Sequence, residues 1–175
     1  MNMNQMSINN VVRPNIIVGS EFQRIDISQK QFLIVQFDHQ YDEVAFHLTC
    51  TLLDDVALNE KPSIRMHVWK SSKYRHQGMF GAMTDQVLLE YLLDRYNLIA
   101  SDNHNTLLGR QYWTDTASYI LERGLYVYRY NRLTRSIKEI VNHEELVTNN
   151  CDLWGEGQAY SDILLVLTDD EIFSG

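Results

Sequence analysis

The 175-residue chain has only two prolines, two cysteines and eight glycines. So little Pro and Gly leaves no room for an extended linker, and no internal repeat or low-complexity block appears beyond an Asn-rich start. Cys50 and Cys151 stand alone, with no CxxC pair and no neighbouring Cys/His set. That excludes a zinc pattern and a disulfide framework and leaves reduced, structural thiols as the expectation. No apolar run approaches the roughly 20 residues that a membrane-crossing helix needs, so no membrane partner is expected. The start carries Asn and Met in place of a basic region followed by an apolar one, so a secretory signal is not expected and a cytoplasmic location is. Cations are scarce as well: 15 Lys+Arg against 23 Asp+Glu give a formal net charge of -8. Neutralising phosphates takes an excess of basic groups, so no nucleic-acid partner is expected. There is no Ser-His-Asp ordering, GxSxG elbow, Walker loop or HExxH.

What is there is a globular composition, 45% hydrophobic and 22% charged. At this length one core buries about 70% of the surface of the unfolded chain without help from disulfides or metal. Residues 1–12 are expected to form a disordered tail and 13–175 a single domain. Asn15 to Gln23, Gln31 to Phe37 and Val44 to Leu53 are rich in β-branched and aromatic residues and predict strands. Ser63 to Lys70 alternates, with Ile64, Met66 and Val68 on one face and Arg65, His67 and Trp69 on the other, and Pro62 stands just ahead of it. Met79, Met83, Val87, Leu88, Tyr91, Leu92 and Tyr96 recur at three- and four-residue intervals and predict a helix from Met79 to Tyr96. Asn97 to Ser101 reads as a strand, Thr106 to Arg123 as a helix stopped by Gly124, and Leu125 to Tyr130 and Asp162 to Leu167 as strands. A short helix is expected around Ser136 to Glu145. The fold class is α/β, a mixed sheet of about seven strands with helices on its faces.

The chemistry concentrates where Tyr74-Arg75-His76-Gln77-Gly78-Met79-Phe80-Gly81 joins a strand to a helix. Free amides at a helix N-terminus and the helix dipole attract an anion, and Gly78 lets backbone approach it closely. Lys70, Lys73 and Arg75 add local positive charge. Arg75 read alone is a solvated loop cation; the strand before it and the helix after it favour the anion site. Tyr112 and Trp113 fall on a helix, where both can be packing residues, and for Trp113 packing is favoured. Asp102 is best read as a turn or helix-start residue, and His47 and His67 as interior or surface histidines, since no third ligand gives them a metal site. Asp169-Asp170-Glu171 reads as a solvated acidic face.

The junction resembles the acetyl-CoA motif of the GNAT superfamily of N-acetyltransferases, Q/R-x-x-G-x-G/A. Arg75 and Gly78 match its first two fixed positions, and at the third Phe80 stands in place of Gly or Ala. Downstream, Asn105 and Tyr112 match an Asn and a Tyr seven residues apart. Ser101-Asp102, Asn105-Thr106, Gly109 and Trp113 resemble the S-D-x-x-Q/N-T-x-x-G-x-x-x-W segment of GNAT-like proteins of phages and mobile elements. The resemblance implies acetyl-CoA as cosubstrate, its pantetheine paired with backbone of Val68, Trp69 and Lys70. Its pyrophosphate would meet Arg75 and the amides of His76, Gln77, Gly78, Met79 and Phe80, with Asn105 beside the cofactor. An acceptor amine, on a small molecule or a protein, would attack the acyl-CoA thioester directly, and Tyr112 would protonate the departing thiolate. The two helices that in the family shape the acceptor site are reduced or absent, since none is evident between Gln23 and Gln31. The alternative is a catalytically inactive GNAT-like accessory protein that binds or modulates a host protein; a CoA-binding sensor is a third, weaker reading, and a homodimer stays open.

Overall fold

The computed structural model describes residues 4–7, 20–73, 86–100, 107–148 and 162–172. They form an α/β protein whose chain divides into two compact units. The first is Met1–Leu53 with Ile64–Arg95, and the second is Asp54–Ser63 with Tyr96–Gly175.

The first unit is built on β1 (Asn4–Ser7), β2 (Ser20–Ser28), β3 (Gln31–Asp38), β4 (Glu43–Leu53) and β5 (Ser63–Lys70), each strand lying beside the one before it. The pairs β1–β2, β2–β3 and β3–β4 are antiparallel. Residues 4–7, expected within a disordered tail, pair with Gln23–Asp26 of β2. The register sets Arg24 opposite Ile34, Ile34 opposite Leu48 and Phe32 opposite Cys50, which puts these five side chains on one face. Phe32, Ile34, Leu48 and Cys50 are all buried there. The first predicted strand, whose residues 15–19 lie outside the described residues, runs further than expected: β2 continues through Arg24 and Asp26 to Ser28, and a two-residue turn leads into β3. The physical reason is mutual satisfaction of polar groups that composition alone counts against a strand. The Arg24 Nε donates to Asp26 Oδ1 at 2.8 Å, and the guanidinium lies 3.9 Å from the centre of the Phe32 ring.

Arg24 joins this face to a π-helical segment, Gln86–Leu92. Where an α-helix from Met79 to Tyr96 is expected, the described part is wider, and the Leu93 amide reaches back five residues to the Leu88 carbonyl at 2.8 Å. The wider turn brings Val87, Leu88, Tyr91, Leu92 and Leu93 into the interior together. Arg24 donates to the Tyr91 hydroxyl at 3.2 Å, and Arg95 packs on the Tyr91 ring at 4.6 Å while donating to the Tyr91 carbonyl.

The second unit contains β6 (Asn97–Ala100), α1 (Leu107–Glu122), β7 (Tyr126–Asn131), β8 (Ser136–Glu139), α2 (His143–Thr148) and β9 (Ile163–Thr168). Its strands run in the order β6-β9-β7-β8, all antiparallel. Leu164 to Leu167 is an unbroken apolar run because β9 is buried along both of its sides. Trp113, Ala117 and Ile120 form the buried stripe of α1 at helical spacing. The helix ends as its sequence suggests: Gly124 has φ +72°, the Leu125 amide bonds to the Ile120 carbonyl and the Gly124 amide to that of Leu121. Between Ser136 and Glu145 the expected helix is corrected. Asn131 Oδ1 accepts the amides of Leu133 and Thr134, closing a β7–β8 hairpin, and the helix begins only after Asn142. There Asn142 Oδ1 accepts the Glu145 amide at 2.8 Å, and Glu145 reaches back to the Val141 amide, a reciprocal cap.

Asp54–Ser63 belongs to this unit through hydrogen bonds rather than a ladder. Asn97 is fully buried; its side-chain NH2 donates to Asn59 Oδ1 at 2.7 Å and to the Lys61 carbonyl at 3.1 Å, and its amide donates to the Pro62 carbonyl. Lys61 Nζ pairs with both Asp169 and Asp170, and Asp55 pairs with Arg132. Burial pulls the Lys61 ammonium down, but the hydrogen bonds and charges of Asp169 and Asp170 outweigh it and raise its pKa. Two of the three acidic residues expected on a solvated face thus hold a lysine.

Replacing Asn97 with Ala removes both side-chain donors from buried acceptors. The expected loss of unfolding free energy is about 1–3 kcal/mol, read by denaturant titration. A loss of about 0.5 kcal/mol or less, the level of an ordinary surface change, shows that this side chain does not hold the Asp54–Ser63 segment.

Candidate functional site

Of the residues assigned to a site from the sequence, Val68, Trp69, Lys70 and Tyr112 are among the described residues. Arg75, His76, Gln77, Gly78, Met79, Phe80 and Asn105 lie outside them, as do Asp102 and Cys151.

The alternation read in β5 is observed: Ile64 and Met66 are buried, while His67 is exposed and Trp69 is 44% exposed. Val68 is half-buried and Lys70 exposed at the end of the strand. The Ser71 amide donates to the Ala45 carbonyl at 2.9 Å, so the end of β5 lies beside the start of β4. Across this pair the Trp69 indole stacks on the His47 imidazole, with centroids 5.0 Å apart and planes 11° from parallel. His47 is half-buried and sits opposite Val35 of β3. It therefore faces away from the side that carries Arg24, Ile34 and Leu48, from which Arg24 reaches the Tyr91 hydroxyl. Burial lowers the His47 pKa below its ordinary value of 6.5, and the nearby His67 lowers it further. His47 is thus held as a neutral imidazole at neutral pH, with a ring nitrogen able to accept a proton.

The sequence marks His47 and His67 as separate strand histidines, and their grouping with Trp69 depends on how β4 and β5 pair. The signal that could have found it is the pair of polar stripes, His47, Thr49 and Thr51 on β4 and Arg65, His67 and Trp69 on β5. Just past β5, Lys73 pairs with Glu43, which answers part of the positive charge read at this junction.

Tyr112 lies half-buried on α1, edge-on to Trp113 with ring centroids 5.1 Å apart. Trp113 is buried, in keeping with its reading as a packing residue. Two other groupings look reactive by composition and are not. Cys50 is a free, buried thiol pushed up to about 12 by its burial, with Arg24 pulling slightly the other way, so it carries almost no thiolate at neutral pH. Ser118 Oγ lies 2.7 Å from His143 Nδ1, but it also donates to the Thr114 carbonyl at 2.9 Å. One hydroxyl proton cannot serve both, so the imidazole is the donor and no base activates the serine. Among the described residues no group of three His, Cys, Asp or Glu is arranged to hold a metal ion.

No protein-family model, curated protein or solved structure matches the chain.

The depressed His47 pKa has a consequence for stability. The unfolded chain binds a proton at about 6.5 whereas folded His47 resists it, so this contribution is complete above pH 6.5 and is lost as pH falls from there through the folded pKa. The stability difference between the wild type and His47→Gln is expected to move against the wild type on going from about pH 7.5 to about pH 5. A difference that stays constant over that range, followed by denaturant titration, excludes a depressed His47.

Proposed function

We propose that the chain is an acetyl-CoA-dependent N-acyltransferase in which an amine attacks the thioester without a protein nucleophile. The observation that carries this reading is the Arg75–Gly78 motif placed directly after a strand whose last residues, Trp69 and Lys70, are exposed. The succession of β5, helical segment, β6, α1 bearing Tyr112, and β7 also supports it, because it is the order the motif resemblance requires. Acetyl-CoA supplies an activated acyl group. The roles of the chain are to hold the pantetheine amides along the backbone of Val68 to Lys70, to receive the pyrophosphate at Arg75 and the amides of His76 to Phe80, and to give a proton to the thiolate from Tyr112. Asn105 would bind beside the cofactor.

A second reading is favoured by one feature. The two-residue turn between β2 and β3 makes Gln23 to Gln31 part of a hairpin, leaving that stretch no helix with which to shape an acceptor site. An inactive accessory protein of GNAT-like build, binding a host protein, would have no need of one, and its acidic charge would suit a basic partner.

Acetyl-CoA at about 100 times its dissociation constant is expected to stabilise the protein by roughly 2.7 kcal/mol, seen as a raised melting temperature. Arg75→Ala and Gly78→Asp should abolish that shift while leaving the free protein folded. Calorimetric affinity unchanged in both variants removes the cofactor site. Tyr112→Phe should keep the affinity and reduce turnover by about 10²–10⁴-fold. Binding without transfer to any amine in a broad panel supports the accessory protein instead.

A further inference from the structure

We propose that His47 and Trp69 form the acceptor side of the reaction, the Trp69 ring holding the acceptor as an alkylammonium ion and the His47 imidazole taking its proton. This rests on the acyltransferase reading, in which the thioester arm lies along Val68 to Lys70, because Trp69 projects from the middle of that stretch and His47 stacks on it. An indole that is 44% exposed keeps much of its surface open to a ligand. Its negative π surface attracts an ammonium group, which a neutral pocket does not. A primary amine is protonated at neutral pH and cannot attack until it loses a proton, so a base must stand where the ammonium is held.

His47 meets that requirement by position as well as by charge state. The groups on its side from the two neighbouring strands are Leu33, Val35 and Phe37 of β3, none of them titratable, and Arg65, His67 and Trp69 of β5; one strand further, the register sets Gln23 opposite Val35 and Glu21 opposite Phe37. No carboxylate stands on β3 or β5 on that side to hold a proton on the imidazole, and the nearby His67 opposes its protonation. The proton balance is simple. The ammonium gives one proton to His47, and the freed lone pair forms the C–N bond at the thioester carbonyl. The C–S bond then breaks, the nitrogen sheds its second proton, the thiolate takes one up, and His47 returns its own to solvent. One proton is released per amide formed.

Two ligands test this separately. Acetyl-CoA binding is measured by calorimetry, and 1-aminopentane is titrated into the isotope-labelled protein while the His47 and Trp69 ring resonances are followed by NMR. Both rings are expected to shift with the amine, and Trp69→Ala should abolish the shift at His47. With acetyl-CoA and 1-aminopentane together, His47→Gln should lower kcat/KM by about 10²–10⁴-fold and remove the acidic limb of the pH profile, again at unchanged acetyl-CoA affinity. Failure of acetyl-CoA to bind overturns the acyltransferase reading and this proposal with it. Acetyl-CoA binding with unmoved His47 and Trp69 resonances, or an acidic limb that persists in His47→Gln, overturns this proposal alone.

Discussion

The register of β3 against β4 is the constraint from which the rest of the first unit follows. With Ile34 opposite Leu48 and Val35 opposite His47, one side of the ladder carries Phe32, Ile34, Leu48 and Cys50 and the other presents imidazole. A slip by one residue would exchange the two sides, sending His47 in among Phe32 and Ile34, and Leu48 to the side of Trp69. Core and candidate site are therefore a single specification, written once in the alternation of β4. Mutations that loosen the ladder should affect both together.

Arg24 shows how strongly that specification acts. A guanidinium on the core side of a sheet is costly unless its charge and donors are satisfied. Here Asp26 accepts from it along the same strand, Phe32 lies under its plane, and the Tyr91 hydroxyl accepts across from the helical segment. Three partners from three elements make this a directional joint, where a leucine would offer only contact. The helical segment is thereby held at Tyr91, whose opposite contacts go to Arg95.

Much of this architecture was legible where hydrophobic periodicity is strong: β3, β5, β6, β9 and α1 with its stop at Gly124 follow directly from residue patterns. The misreadings share a cause. Arg24 and Asp26 look like turn material until their mutual ion pair is seen, and Ser136 to Glu139 has no apolar repeat of its own to mark it as a strand. Lys61 and Asp169 are far apart in sequence, so their pairing carries no local signal, and neither does the stacking of His47 on Trp69. Composition reports what a residue prefers, whereas these groups are placed by what they meet. Arg75 to Phe80 remain a sequence argument, joined to the structure at Lys70 and Lys73.

The segment Asp54–Ser63 leaves the first unit after β4, is tied into the second by Asn97, Asp169, Asp170 and Arg132, and then leads back into β5. Neither unit is consequently a continuous stretch of chain. A fragment starting at Tyr96 would lack the partners that fill Asn97's donors, and one ending at Arg95 would carry Lys61 with no carboxylate of Asp169 or Asp170 to receive it. On the ribosome, Asn59 and Lys61 emerge more than a hundred residues before Asp169 and Asp170, and the second unit cannot complete its hydrogen bonds until those two carboxylates have followed.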